Sequence, residues 1–446
     1  MPVFSLFGKE KIGTFGEAAF SFVDFLKETG QNYWQILPLT TVDEWGSPYS
    51  SNSAFAGNPL LIDLEILVKQ GLIKKEDFKC ENTVSRVDYP AVQKEKMPIL
   101  IKAAQNFKEN EEFLSFKEEN AFWLEDYAEF LEKEEKIKRE ITEKIQFFFF
   151  SQWGILKKYA NENGISVIGD LPFYVGAKSV DIISNPKIFK VGKDYTPTLL
   201  SGVPPDEFSP NGQLWETPVY DFSKQREDGF LWWRKRIEFS RLLYDVIRLD
   251  HFRAFSSFYA VPSGEKTAKN GQWIKGVGYD FFKKLKVEFK KTQVIAEDLG
   301  QCDDAVKQLL IKTGFPSMKV LQFAFDGNSD NPFLPKNFKK NCVCYTGTHD
   351  NEPFAAWADK ASEKVKKEFA DCTENLKGTP SEKAITLLMK SRADTVIIPL
   401  CDYLEGKEDY RINTPGVKSE NNWSWRLKRE ELSEELKEKI KRLSKR

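Results

Sequence analysis

Histidine is nearly absent from this chain: His251 and His349 are the only two in 446 residues. The cysteines, Cys80, Cys302, Cys342, Cys344, Cys372 and Cys401, are scattered, with no CxxC pair and no histidine at ligand spacing. A structural zinc site and metal-dependent chemistry are therefore disfavoured, and the thiols read as reduced and partly buried. No apolar run approaches the ~18 residues that span a bilayer, so no membrane partner is expected. The N-terminal Met-Pro-Val-Phe-Ser-Leu-Phe-Gly-Lys has no basic stretch leading into a long apolar one, and no secretory signal is read there. Charge of one sign is also lacking. The 66 Lys+Arg stand against 67 Asp+Glu, which argues against the net basic face of a nucleic-acid binder. These absences describe a soluble, cytoplasmic globular protein with neither metal nor cofactor.

Aromatic residues, by contrast, make up 14% of the chain, with 36 Phe and 11 Trp. The phenylalanines fit a compositional bias. Several tryptophans stand in loop-like segments, where a flat ring can stack on the face of a sugar. Each histidine directly adjoins an aspartate at the end of an apolar run: Val246-Ile-Arg-Leu-Asp-His251 and Val343-Cys-Tyr-Thr-Gly-Thr-His-Asp350. Similar runs occur at Tyr33–Leu39, Ser166–Leu171, Val294–Asp298, Lys319–Phe325 and Thr395–Leu400. Helical patterns fit between the runs, at 15–28, 146–161, 232–243, 281–291, 302–313 and 381–392. Apolar strands alternating with helices predict a parallel sheet. A dinucleotide-binding sheet should show a glycine-rich turn after its first strand, and Leu39-Thr-Thr-Val-Asp-Glu-Trp-Gly has none. Acids gather instead at the ends of several strands, as in a (β/α)8 barrel. The predicted fold is thus α/β, a (β/α)8 barrel forming one catalytic unit over 1–446. A charged, helical insertion is read over 59–145, and a Pro- and Gly-rich loop over 190–221 reads as a lid.

Three strand ends carry the chemistry: Arg248-Leu-Asp250-His251, Ala296-Glu297-Asp298 and Thr348-His349-Asp350-Asn351. Strand period two puts Arg248 and Asp250 on one face. The guanidinium favours an ionised Asp250, suited to a nucleophile or charge stabiliser. Glu297 follows apolar Val294-Ile-Ala, and desolvation there raises a carboxyl toward the proton-donor range. One ionised and one protonated carboxyl across a glycosidic bond is the minimum equipment of glycoside chemistry.

At these residues the sequence resembles the amylomaltases, the 4-α-glucanotransferases or disproportionating enzymes of glycoside hydrolase family 77, in the α-amylase-like clan. The resemblance runs from Ile12-Gly-Thr-Phe-Gly16 to Asn421-Asn-Trp-Ser-Trp-Arg426, and includes Tyr33–Leu39, Ser47-Pro-Tyr-Ser50, Ser53–Pro59, Gly202-Val-Pro-Pro-Asp206, Gly212-Gln-Leu-Trp215, Asp250-His-Phe-Arg253, Ala296–Gly300 and Thr348–Asn351. It implies retaining transfer of α-1,4-glucan segments from a donor to the 4-hydroxyl of an acceptor, through a covalent glucosyl-enzyme. By resemblance, Asp250 is the nucleophile, Glu297 the general acid/base and Asp350 the third carboxylate, holding sugar hydroxyls. Arg248 orients Asp250, His349 stands beside Asp350, and Tyr49, Asp206 and Trp215 line the subsites. The implied partners are maltooligosaccharides and α-1,4-glucans, with glucose as acceptor; the sequence is compatible with a monomer and leaves the oligomeric state open.

The chain also departs from the family pattern. The helical insertion is shortened around Lys133 to Lys144, Lys178 stands where an acid is common, and Ala254 where glycine is common. After Asn351, Glu-Pro-Phe-Ala-Ala-Trp357 is looser than the family pattern. None of these positions touches the three carboxylates; they bear on acceptor preference and remote glucan binding. From the residues alone a hydrolase on the same scaffold stays open, because water and a sugar hydroxyl compete for one intermediate. A catalytically silent glucan-binding protein is disfavoured by the presence of all three acids.

Overall fold

The computed structural model describes residues 1–78, 84–205, 209–300 and 302–445. Its strands are β1 (Tyr33–Gln35), β2 (Ser166–Leu171), β3 (Leu199–Val203), β4 (Gln213–Pro218), β5 (Val246–Leu249), β6 (Ser257–Pro262), β7 (Gln272–Lys275), β8 (Gln293–Ala296), β9 (Ser317–Val320), β10 (Cys342–Tyr345) and β11 (Thr395–Ile397). Seven form a parallel sheet in the order β1-β2-β5-β8-β9-β10-β11. Alternation along each strand sorts its side chains. Ile168, Val246, Ile295, Met318, Val343 and Tyr345 pack together as the inner core. Their neighbours Val167, Ile247 and Val294 face outward into the main hydrophobic cluster, with the surrounding helices. Each such side chain contributes about 1.5–3 kcal/mol by burial, so the inside–outside register is strongly specified.

The sheet curls so that the Tyr345 side chain at the end of β10 reaches β1, its hydroxyl donating to Gln35 Oε1 at 3.0 Å. This is the predicted (β/α)8-type barrel, with seven laddered strands among the described residues. Between β11 and β1 lies a cavity of about 680 Å³, bordered by Ile36, Met318, Val396 and Ile398 and reaching Arg248 and His349.

Helices Leu64–Lys69, Tyr89–Asn106, Glu111–Glu134 and Arg139–Glu162 separate β1 from β2. Asp88 and Asn110 begin two of them, each side chain accepting the N–H three residues on. The expected insertion boundary at 145 falls inside Arg139–Glu162. That helix runs on into the barrel wall, where Phe149 and Trp153 pack on Phe15, with ring centroids 5.2 and 5.3 Å apart. The stretch 281–291 is two short helices, Tyr279–Lys284 and Lys286–Lys290. The run 319–325 leaves strand geometry at Leu321 and closes in a 3-10 turn.

The segment 190–221, read as an aperiodic loop, contains β3 and β4. They join β6 and β7 in an antiparallel sheet ordered β4-β3-β6-β7. Proline and glycine hid these strands. At Gly202 a Cβ would lie 2.3 Å from the Gln213 carbonyl oxygen, so glycine is what lets the two backbones approach this closely.

Candidate active site

Asp170 on β2 and Arg248 on β5 are register partners, with side chains on the inner face. Arg248 Nη1 donates to Asp170 Oδ2 at 2.6 Å and to Asp250 Oδ1 at 3.1 Å. Asp250 follows directly on β5, and its N–H bonds the Leu171 carbonyl. Directly after the next strand, β8, Glu297 bonds Leu249 O through its own N–H, while its carbonyl accepts from Phe252 N. Its carboxylate is held at both oxygens: His251 N–H donates to Oε2 and Leu299 N–H to Oε1, each at 2.8 Å. His251 makes this bond from the left-handed region, at φ 47°. That conformation costs a non-glycine residue about 1–2 kcal/mol, and here it aims a backbone donor at a catalytic-type carboxylate.

The third acid adjoins this hydrogen-bonded group. The Tyr49 hydroxyl donates to Asp170 Oδ2 at 2.6 Å and lies 3.2 Å from His349 Nε2. The Tyr49 and His349 rings stack with centroids 5.5 Å apart, and His349 Nε2 stands 3.4 Å from Asp350 Oδ2. Exposure separates the acids. The Asp170 side chain is 2% exposed, Asp250 24% and Asp350 43%. Asp170 is a buried brace, and Asp250 and Asp350 face the mouth.

Burial raises Glu297 above the usual carboxylate range, against the opposing pull of Arg248 and its two N–H donors. Burial, with Asp170, Glu297 and Asp350 nearby, works against the Arg248 guanidinium and pushes Asp250 above its ordinary range. One arginine faces several carboxyls, so the Asp250–Glu297 pair retains a proton. The direct Arg248 contact is made to Asp250, which places the shared proton on Glu297. Both histidines are neutral: burial lowers His349 and brings His251 down to about 3.

Trp215, on β4, packs edge-on against His251 at 5.0 Å and lies 6.2 Å from Tyr174. This brings the 190–221 segment over the turn that follows Asp250. Asp206 lies outside the described residues. Among the described residues no cluster of His, Cys, Asp and Glu is arranged to hold a metal ion, and no helix is long and apolar enough to cross a membrane.

The family model for 4-alpha-glucanotransferases matches residues 1–144 and 131–432. A 4-alpha-glucanotransferase from Clostridium butyricum is 42% identical over 483 aligned residues, covering all of this chain and 99% of that protein. The chain belongs to the 4-alpha-glucanotransferase family. Another member, from Aquifex aeolicus, is 40% identical, with 97% of this chain and 95% of that protein covered. An amylomaltase from Streptococcus agalactiae, solved in complex with acarbose, superposes with a TM-score of 0.95 at 36% identity, covering 100% of this chain and 97% of that one.

Membership in the 4-alpha-glucanotransferase family decides for transfer over the hydrolysis that the residues alone left open. The two matched stretches overlap at 131–144, across the turn between helices Glu111–Glu134 and Arg139–Glu162, where the sequence reads as shortened. Sequence reasoning missed Asp170 and Asn413. Asp170 ends an apolar run, Ser166-Val-Ile-Gly-Asp170, as Asp250 does, and that shared pattern was the available signal. Asn413, which donates to Asp350 Oδ1 at 2.6 Å, sits in a loop with no local pattern to mark it.

Proposed function

We propose that this 4-α-glucanotransferase works by double displacement with retention of configuration. Asp250 carboxylate attacks C1 of the donor sugar as the C1–O4 bond breaks, and Glu297 gives its proton to the departing O4. The acceptor 4-hydroxyl then returns a proton to Glu297 while its oxygen attacks C1, breaking the bond to Asp250. Asp350, with neutral His349 beside it, holds the hydroxyls of the reacting sugar and faces the positive charge that develops there. Arg248 and Asp170 orient Asp250. Tyr49 and Trp215 line the subsites, Trp215 by stacking.

The observation that supports this reading best is the division of the acids at the ends of adjacent strands. Asp250 sits on a guanidinium, while Glu297 is buried, raised and held at both oxygens by backbone N–H groups. Donors are maltooligosaccharides and α-1,4-glucans, in keeping with the 4-alpha-glucanotransferase relatives, and glucose serves as an acceptor. The protein acts as a cytoplasmic monomer. It forms one catalytic unit over 1–446, with the insertion that begins at 59 and runs on through helix Arg139–Glu162 as a helical wall and 190–221 as the lid. Incubation with pure maltotriose tests this reading. Glucose together with chains longer than maltotriose is expected; glucose and maltose alone would indicate a hydrolase.

A further inference from the structure

The segment from Arg411 to Trp423 crosses the barrel mouth beside Asp350. The Asn413 amide donates to Asp350 Oδ1 at 2.6 Å, and its backbone N–H donates to the His349 carbonyl at 3.0 Å. Arg411 Nη2 donates to the Asp350 carbonyl at 3.0 Å, and Arg411 Nε to the Asn413 carbonyl at 2.8 Å. The strap is itself pinned. Asn422 accepts the Thr414 N–H at 3.0 Å and donates to the Val417 carbonyl at 2.7 Å. Trp423, at φ 57°, donates its N–H to the Ile412 carbonyl at 2.6 Å. Its ring lies 5.7 Å from both Tyr49 and His349. Asn413 is therefore held against the third carboxylate by both ends of a braced loop.

We propose that Asn413 is a positioning residue for transfer: its amide fixes Asp350 by donating to Oδ1, leaving Oδ2, 3.4 Å from the neutral His349 Nε2, to take the hydroxyls of the reacting sugar. The inference rests on the reading of Asp350 as the acid that contacts sugar hydroxyls. A neutral donor suits this place. It occupies one carboxylate oxygen and sets the rotamer without cancelling the negative charge. A lysine or arginine would pair with Asp350 and weaken it against the positive charge developing on the sugar. Because that charge appears only as the bond breaks, the loss on removing Asn413 falls on kcat rather than on KM.

The experiment measures maltotriose disproportionation by Asn413→Asp and Asn413→Leu, two variants of similar volume that lack the amide donor, with folding checked by circular dichroism and melting. Each is expected to lose about 10- to 100-fold in kcat, with KM changed much less. Asp350→Asn, measured in parallel, is expected to be severely impaired. In that background Asn413→Leu should cost nothing further, since a residue acting through Asp350 has nothing left to position. Wild-type kcat in folded Asn413→Leu and Asn413→Asp, with Asp350→Asn impaired, would overturn the assignment alone. An equal loss from Asn413→Leu in both backgrounds would also overturn it, because that is the signature of a merely structural role. Wild-type activity in Asp350→Asn would remove the underlying reading of Asp350 and this inference with it.

Discussion

Half-buried Asp250 and buried Glu297 stand with further carboxyls around a single guanidinium, so protonation distributes over the pair, and the pH profile reports that distribution. Asp250 lies on Arg248 and Glu297 is raised by burial. The productive form is Asp250 ionised with Glu297 protonated. Loss of the shared proton lowers the rate on the alkaline side, and a second proton neutralises Asp250 on the acid side. A bell-shaped kcat/KM profile is expected, with its alkaline limb above the ordinary glutamate range. In Glu297→Gln assayed with α-glucosyl fluoride, whose leaving group needs no acid, the alkaline limb of the glucosylation step should vanish; its persistence would place the proton donor elsewhere. Asp250→Asn should lose on the order of 10⁴-fold or more in turnover of any donor. Of the residues involved, Asp250, Glu297 and Asp350 were legible in the sequence because each ends an apolar run in a recognisable motif. Asp170 joins this group only through its cross-strand register with Arg248, a pairing between residues far apart in the chain.

Two segments carry Tyr49 and Trp215, the described residues proposed for the subsites, and each is set by a contact that its own sequence does not announce. Tyr49 sits in a 3-10 turn two residues after Ser47, beyond Gly46 at φ 84°. A Cβ at Gly46 would meet the Tyr89 ring at 2.0 Å, so this turn is seated on the first long helix of the insertion. Gly46→Ala is expected to cost about 1–3 kcal/mol in overpacking alone and to raise KM for maltotriose by moving Tyr49; thermal melting and steady-state kinetics together check both effects. The lid sheet brings Trp215 onto His251, and Lys418 on the strap reaches Glu216 on β4 at 3.0 Å. Trp215→Ala should lower the ratio of transfer to hydrolysis, because the lid excludes water from the glucosyl-enzyme. An unchanged ratio of long products to reducing sugar would take that role from the lid. The strands of this lid were not legible because proline and glycine mask them and the second partner of β3, β6, comes after Asp250 in the chain. The alternation of the barrel strands is local, and was read directly.

At the scale of the whole molecule, the helical insertion is fastened to the barrel by buried charge as well as by aromatic packing. Lys96, on helix Tyr89–Asn106, donates to Glu10 Oε2 at 2.6 Å and to the Leu60 carbonyl at 2.8 Å. The two side chains are 3% and 9% exposed. Lys96→Ala leaves Glu10 buried without its cation, for an expected loss of about 3–5 kcal/mol in denaturant unfolding, while the paired Lys96→Met, Glu10→Leu replacement should cost far less. The barrel that this block braces exists to hold two carboxyls at the ends of neighbouring strands, and double displacement requires that one of them become bonded to sugar. The direct measurement is the intact mass of Glu297→Gln after exposure to α-glucosyl fluoride, with peptide mapping, followed by addition of azide. A glucosyl adduct on Asp250, released by azide as the α-configured glucosyl azide, is the expected result. No adduct together with β-glucosyl azide would mean direct displacement without a covalent intermediate, and an adduct on any other residue would mean that Asp250 is not the nucleophile.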